Sequence, residues 1–392
     1  MIPHLVLRPG RDRRVRGGHP WIFSNEIQDL EGIPGKGDAV EVFSAKGDFL
    51  GTAYFNPHSL IAARLLSRKR EDIDAPSFYK DRIAAAARRR IFHYPSENAL
   101  RLVFGESDGL PGLVVDRYGD VLVVQLLAAG MECRREAIVA ALQELFAPRA
   151  IIARNDVAVR ALEGLDQTVE LLTGTPPGRV VITEHGLEFL VDVMAGQKTG
   201  HFLDQKENHL ALRGRVAGRR VLDLFCYSGA WSLQAAQFGA NSTTGIDISP
   251  HAVALAAENA ARNNLTDRCR FLQGDGFDAL RQGQQGNERY GAIILDPPAF
   301  VKSKQRLAEA AKGYLTINRR AFEVLEEDGY LFSCSCSYHL TREHFLDILR
   351  QAARQAGRSV VIEEVRGQAL DHPVALACPE TDYLKCAVLR VF

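Results

Sequence analysis

Residues Arg219 to Asp247, RRVLDLFCYSGAWSLQAAQFGANSTTGID, decide the fold. The stretch opens on a buried-strand run, Val221-Leu222-Asp223-Leu224-Phe225, and turns at Tyr227-Ser228-Gly229. An apolar helix follows over Ala230 to Phe238, Gly239-Ala240-Asn241 breaks it, and a second strand from Ser242 ends on Asp247. That is one β-α-β unit of a doubly wound sheet, in which ligands sit at the carboxyl ends of the strands. Gly229 has no Cβ and lets the backbone come close to a ligand. Asp247 stands where a carboxylate accepts hydrogen bonds from both hydroxyls of a ribose. The G-x-G-x-x-G fingerprint of dinucleotide sites and the G-x-x-x-x-G-K-[ST] loop of triphosphate sites are both missing. A carboxylate before the turn, Asp223, suits a cationic ligand better than a phosphate. S-adenosylmethionine, which carries a sulfonium, an amino acid end and a ribose, meets these demands. A nucleotide-type fold with no special ligand has the same pattern.

The chain of 392 residues is long enough for two or three domains. A hydrophobic share of 46% and a charged share of 24% are those of an ordinary globular protein with a large core. Seven cysteines, odd in number and scattered, point to reduced thiols and a cytoplasmic location. No C-x-x-C occurs, so no metal site is expected. The N-terminus, MIPHLVLRPGRDRR, lacks the apolar core of a signal peptide, and the longest apolar run, near Val121 to Met131, is too short for a bilayer. No membrane partner is expected. Net charge is zero, but residues 1–70 hold eleven Lys and Arg against seven Asp and Glu. Arg8, Arg11, Arg13, Arg14 and Arg16 cluster there, and Arg88-Arg89-Arg90 form a second group. Such groups are either solvated surface or phosphate contacts.

Taken in order, residues 1–70 read as short strands of a small β-barrel, with Val40 to Phe43, Phe49 to Phe55 and Ile61 to Leu66 separated by turns. His19 and Trp21 lie beside the arginine cluster; they either contact RNA or belong to the barrel core. Residues 71–178 read as a small α+β middle domain. Its helix Phe78 to Phe92 places Tyr79, Ile83, Ala87 and Ile91 on one face, a hairpin turns at Tyr118-Gly119-Asp120, and a second helix runs from Glu132 to Phe146. Residues 179–392 begin with a hairpin turning at His185-Gly186 and continue as the α/β domain. GQKTGHFLDQ, residues 196–205, joins the two and offers Lys198, Thr199 and Asp204 to the ligand, or is an ordinary connection. A helix is expected over Gln305 to Glu326.

Three further strand ends carry chemistry. Asp275-Gly276 follows a strand and is placed to meet an adenine amino group. Asp296-Pro297-Pro298-Ala299-Phe300 ends a buried strand; its carboxylate and carbonyls can accept from the exocyclic amine of a base, and Phe300 can stack on the ring. The alternative is a rigid turn. Cys334 and Cys336 end another strand, and a thiolate at Cys336 would be an accessible nucleophile. The expected cofactor set is thus Asp223, Phe225, Tyr227, Ser228, Gly229, Asp247, Ile248, Asp275, Gly276, Asp296 and Pro297, with Lys198 and Thr199. The expected RNA set is Arg11, Arg13, Arg14, His19, Trp21 and Phe300.

Together these motifs resemble the RlmI-type large-subunit ribosomal RNA cytosine-C5 methyltransferases over nearly the whole chain. RPGRDRRVRGGHPWIFSNEI resembles the family's N-terminal PUA domain and ESDGLPGLVVDRYGDVLVVQ its middle domain. GQKTGHFLDQ, VLDLFCYSGAWS, DPPAF and FSCSCS resemble its catalytic motifs. The resemblance implies a PUA-like barrel, a small α+β middle domain and a Rossmann-like methyltransferase domain whose last strand is antiparallel. It implies S-adenosylmethionine as methyl donor and ribosomal RNA, of the 23S type, as partner. Aligned on Ser337 and Thr341, the family's nucleophilic cysteine falls on Cys336, with Asp296 as its catalytic companion. One departure is Ala299, since many RNA cytosine methyltransferases place a second cysteine after the proline. Methylation of an exocyclic base amine and a non-catalytic RNA-binding assembly role stay open as alternatives, and so does a homodimer.

Overall fold

A computed structural model describes residues 2–300 and 307–392. It divides into two compact units. The first gathers the chain up to Ile182 with Val191–Leu203 and Leu370–Thr381; the second gathers Thr183–Leu190, Asp204–Ala369 and Asp382–Phe392. The barrel and the middle region share the first unit, and Leu370–Thr381 joins them.

In the first unit a six-stranded sheet is ordered Trp21–Ile22, Ala63–Ser67, Phe49–Phe55, Ala39–Phe43, His4–Leu7, Ile27–Glu31. The alternation seen in the sequence is the reason: Val40 and Val42 point inward with Leu5, Leu7, Ile22 and Phe55. A second, five-stranded sheet is ordered Val169–Gly174, Ala150–Arg154, Val121–Leu126, Leu113–Tyr118, Ala99–Phe104. Helices Pro76–His93 and Arg135–Phe146 contribute Tyr79, Ile83, Ala87, Ile138 and Leu142 to its core. Two local expectations shift. Ile91 is exposed and Arg90 takes the buried face instead. The helix expected from Glu132 is two pieces, Ala129–Glu132 and Arg135–Phe146.

A buried carboxylate ties the two sheets of this unit together. Glu163 accepts from Ser59 Oγ at 2.7 Å, Arg64 Nη2 at 2.8 Å and Asn56 Nδ2 at 2.9 Å. Burial pushes its carboxyl up, but the Arg64 guanidinium and the hydroxyl and amide donors outweigh that and hold it below the usual range. Asp371 fastens the Leu370–Thr381 segment to the five-stranded sheet and its helix: its carbonyl accepts from Arg90 and its carboxylate from the Arg101 amide at 3.1 Å.

The second unit is a seven-stranded sheet. Its strands in chain order are β1 (Arg220–Leu224), β2 (Ser242–Asp247), β3 (Cys269–Gln273), β4 (Tyr290–Leu295), β5 (Leu325–Ser335), β6 (Val360–Arg366) and β7 (Lys385–Val391). The sheet order is β3-β2-β1-β4-β5-β7-β6. Strands β1 to β5 are parallel, and β7 runs antiparallel to β5 and β6. Helices α1 (Ala230–Gln237), α2 (Pro250–Arg262), α3 (Gly276–Gln285), α4 (Leu307–Val324) and α5 (Arg342–Gln355) belong to this unit. Residues Gln305 and Arg306, the expected start of α4, lie outside the described residues.

Period-two alternation sorts each strand between two cores. Leu222, Leu224, Ile293 and Leu295 pack with Tyr314, Ile317 and Phe345 of α4 and α5. Val221, Ala292, Ile294, Phe332 and Cys334 pack with Trp231 of α1. The same alternation puts Asp223 and Asp296 on the α1 side of the sheet. Because β1 has β2 on one side and β4 on the other, the strand order reverses there, and a ligand crevice opens outside the carboxyl ends.

The Glu163 tie predicts that Glu163→Ala lowers the unfolding free energy by about 3–5 kcal/mol, because Arg64 is left buried and unpaired. Since the folded carboxyl titrates below the unfolded value, its stabilisation is complete above about pH 4.3 and is lost as pH falls through the folded value. Urea unfolding of wild type and variant should therefore differ at pH 7 and converge in acid; equal stabilities at pH 7 would remove Glu163 from its supporting role.

Candidate active site

The turn after β1 is built from left-handed backbone. Phe225 (φ 66°), Tyr227 (φ 46°) and Gly229 (φ 83°) all have positive φ. The chain folds back so that the amides of Phe225 and Cys226 both donate to the Ile246 carbonyl, at 2.8 and 3.1 Å. The Tyr227 amide donates to Asp247 Oδ2 at 3.0 Å, and the Ser249 amide to Oδ1 at 2.9 Å. Each Asp247 oxygen keeps a lone pair beyond these bonds, so a ribose can still be held there. Gly229 also has a packing reason. A Cβ on it would stand 2.9 Å from Phe271 Cζ and 3.1 Å from Ala256 Cβ, so helix-strand packing excludes a side chain. Gly276 is similar: a Cβ there would meet the Phe225 ring at 3.0 Å. Asp275 is the N-cap of α3, its Oδ1 accepting from the amides of Phe277 and Asp278. Ser228 is buried, while Ile248 is 71% exposed just past Asp247, an open apolar surface suited to the face of a base.

Asp223 is fully buried. Its Oδ2 accepts from the Ser232 amide at 3.1 Å and hydroxyl at 2.7 Å, and its Oδ1 is buried with no partner. Burial pushes its carboxyl up to about 7, Ser232 opposes the rise, and the charge of Asp296 adds to it. A buried acid with an unsatisfied oxygen fits a cationic group, which the ammonium or sulfonium of S-adenosylmethionine supplies.

Asp296 follows β4 and is half-buried. Gln205 Nε2 donates to its Oδ1 at 2.9 Å and Trp231 Nε1 to its Oδ2 at 3.2 Å. Gln205 is itself oriented, since its Oε1 accepts from Asn208 Nδ2 at 2.6 Å. Behind Trp231 the His209 ring stands edge-on at 4.6 Å, with its Nδ1 2.6 Å from Glu184 Oε1. Gln205 and Trp231 lie inside the motifs GQKTGHFLDQ and VLDLFCYSGAWS, yet neither was expected at the site; a lone indole nitrogen in an apolar helix was the available signal.

The β4–β5 register pairs Leu295 with Ser333, which carries the two chain ends out together. Cys336 is half-buried and its Sγ lies 4.0 Å from the Pro297 carbonyl. Cys334 is sealed in the core against Cys386, and burial holds its thiol well above the ordinary range. The Tyr314 hydroxyl lies between Ser335 Oγ (3.0 Å) and Ser337 Oγ (3.2 Å), and burial pushes it up to about 12. Phe300 packs on Tyr314 with ring centroids 4.7 Å apart and near Phe277 at 5.9 Å, so here it is part of the α4 packing. Lys385, buried beside this corner, was passed over as well; a single lysine in the apolar run of β7 was the signal.

The remaining expected site residues belong to the first unit. Thr199 is buried in the first unit, where its hydroxyl meets Asp116 Oδ2 at 2.6 Å and Tyr118 at 2.8 Å, so it braces that unit. Lys198 lies in the same unit with its Nζ 4.4 Å from the Phe202 ring centroid. Arg11 and Arg13 are exposed. Arg14 is not: it donates to the Trp21 carbonyl and Glu26 and stacks on Phe23 at 4.4 Å. Arg90, of the second cluster, is buried and paired with Asp108. Trp21 is half-buried and donates to Glu106. His19 is only 4% exposed, too buried for a nucleic acid strand.

His19 instead joins Cys378 and Glu380 in a group whose ligand atoms lie close enough for a metal. The hydrogen bonds oppose one. The Trp21 amide donates to Nδ1, which leaves the ring proton on Nε2, where it meets Glu380 at 3.1 Å. A metal on Nε2 would require that proton on Nδ1, where the Trp21 N–H already points.

Comparison with known proteins adds the following. Residues 5–68 match a family described as a PUA-like domain, and residues 101–374 match the S-adenosylmethionine-dependent methyltransferase family. The chain is 39% identical over 395 residues to a "Ribosomal RNA large subunit methyltransferase I" of Klebsiella pneumoniae, covering 100% of this chain and 99% of that one. A structure described as a SAM-dependent methyltransferase from Streptococcus mutans superposes with a TM-score of 0.84 at 24% identity, with both chains fully covered. A methyltransferase structure complexed with SAH gives a TM-score of 0.86 at 23% identity, again over the whole of both chains. Among the described residues no helix is long and apolar enough to cross a membrane.

Asp223 makes a pH-dependent prediction. A cation is best held by the ionised acid, so S-adenosylmethionine affinity should weaken by up to about tenfold for each pH unit below 7. Asp223→Asn should weaken binding at pH 7.5 and flatten this profile. Calorimetry between pH 5.5 and 7.5 reads both, and a wild-type affinity that does not change with pH would take Asp223 out of contact with the cation.

Proposed function

Since the chain belongs to the S-adenosylmethionine-dependent methyltransferase family, with the large-subunit ribosomal RNA methyltransferase I proteins among its relatives, we propose that it methylates cytosine C5 in large-subunit ribosomal RNA. The observation that carries the cytosine reading is the placement of one thiol. Cys336 reaches the carboxyl edge of the sheet next to the Asp296-Pro297 turn, whereas Cys334 is sealed beneath it.

Cytosine C5 is a weak nucleophile. In the proposed mechanism the Cys336 thiolate adds to C6, which breaks the 5,6 double bond and places electron density at C5. Asp296, held by Gln205 and Trp231, accepts from the N4 amine and, in its protonated form, donates to N3 and stabilises the negative charge that develops there. S-adenosylmethionine supplies an electrophilic methyl group on sulfur. C5 forms the new carbon–carbon bond as the bond from the methyl group to sulfur breaks and its electron pair stays on sulfur; the C5 proton then leaves to a base, its bonding pair re-forms the 5,6 double bond, and the C6–S bond breaks to return the thiolate. Ala299 offers no side-chain base at the position where a second cysteine is common. Asp223 and Asp247 hold the cationic and ribose parts of the donor, with Tyr227 and Ser249 fixing the Asp247 carboxylate. A paired base cannot enter such a site, so the target is unpaired or flipped out. The PUA-like barrel contributes Arg11 and Arg13 to the RNA backbone, with salt-dependent affinity.

Cys336→Ala should abolish methyl transfer to undermodified ribosomal RNA, and Cys334→Ala should retain it. Tritium release from C5-labelled cytidine, read alongside mass mapping of the product nucleoside, is the measurement. Turnover by Cys336→Ala, or methylation without tritium release, would replace the C5 reading with methylation of an exocyclic amine. In parallel, replacing Arg11 and Arg13 with Ala should flatten the salt dependence of RNA binding while donor affinity stays constant. An unchanged slope would make these arginines solvated surface.

A further inference from the structure

Lys385 opens β7, and the antiparallel register sets it opposite Ser335, the last residue of β5. Its side chain therefore shares the sheet face of Ala387 and Leu389, which is the α4 side that holds Tyr314. The residue is 4% exposed. Its Nζ donates to the Ser337 carbonyl at 2.7 Å and to the Tyr383 carbonyl at 2.8 Å. Both acceptors are neutral, and among the described residues no carboxylate pairs with it. A lysine is almost never buried without a charged partner, so this placement has a cost that a plain structural tie does not justify.

The carbonyl it grips belongs to the residue after Cys336. Burial lowers the ammonium to about 8, and the negative charge of Cys336 works against that fall. Asp382, from the turn before β7, acts in the same sense as Cys336, and Arg342 of α5 acts against it. Tyr314 faces the same corner from α4 but stays protonated, so it brings no charge. The interaction between Lys385 and Cys336 is reciprocal: if the thiolate favours the ammonium, the ammonium favours the thiolate by the same amount.

We propose that Lys385 is the positioning residue for Cys336, pinning the chain at Ser337 and setting a positive charge beside the neighbouring thiol. The proposal rests on Cys336 being the attacking thiol, and its test needs neither RNA nor methyl donor. The rate of iodoacetamide alkylation at Cys336 is followed against pH by mass spectrometry of its peptide, with the exposed Cys133 as internal reference. In Lys385→Met the Cys336 profile should move up by about one pH unit, which is about tenfold slower alkylation at pH 7, while Cys133 is unchanged. Lys385→Arg, which keeps the charge, should stay with wild type.

A folded Lys385→Met whose profile superposes on wild type overturns the proposal. Should that variant not fold, the reciprocal measurement decides: in Cys336→Ser, acetic anhydride labelling of Lys385 should reach half-maximum at lower pH, and an unchanged profile overturns it. If tritium release fails but the alkylation profiles separate, the cytosine reading falls and the lysine assignment stands. Loss of activity in Cys336→Ala with superposed profiles has the opposite meaning.

Discussion

Three carboxylates at the ends of three adjacent parallel strands impose the main physical constraint on this molecule. Asp223, Asp247 and Asp296 are carried to one edge by the β2-β1-β4 order, and charges of one sign in a partly dehydrated edge repel. The fold answers with donors: Ser232 for Asp223, the Tyr227 and Ser249 amides for Asp247, and Gln205 with Trp231 for Asp296. The turn after β1 adopts three left-handed residues in five, and on this path the Tyr227 amide donates to Asp247. One oxygen, Asp223 Oδ1, gets no donor from the protein, and its acid is the one that burial drives toward neutrality.

Support for Asp296 extends well behind the edge. Glu184 orients His209, the His209 ring walls Trp231, and Trp231 donates to the carboxylate. On the other side Asn208 orients Gln205. Each member has both a packing and a hydrogen-bonding role, so a buried polar network of this kind fixes the carboxylate more tightly than one isolated bond would. A rotated Asp296 would lose the two donors on which its alignment depends.

Much of this was legible in the chain. Buried-strand runs that end abruptly in Asp or Cys are local signals, and they located Asp223, Asp247, Asp296 and Cys336 at strand ends. The antiparallel last strand came with the family resemblance. What local patterns lack is burial of polar groups by distant residues. Thr199 stands in a glycine-rich stretch that looks like a ligand loop, yet its hydroxyl answers to Asp116 and Tyr118 about eighty positions earlier. His19 and Arg14 sit in a basic cluster, yet one is locked between Trp21 and Glu380 and the other stacks on Phe23. Spacing puts Ile91 on a buried face, but Arg90 holds it because the Asp108 carboxylate and the Asp371 carbonyl accept from the guanidinium. Gln205, Trp231 and Lys385 were missed for the same reason: their partners are brought near only by the sheet.

The chain carries two tryptophans, and the fold places one in each compact unit. Trp21 donates to Glu106 in the first unit, and Trp231 donates to Asp296 at the strand edge of the second. An indole hydrogen-bonded to a carboxylate is sensitive in its emission to any change in that carboxylate's charge or surroundings. The molecule therefore contains two separate optical reporters. Removing either indole by substitution to phenylalanine leaves a single-fluorophore protein, in which unfolding of one unit can be followed without interference from the other.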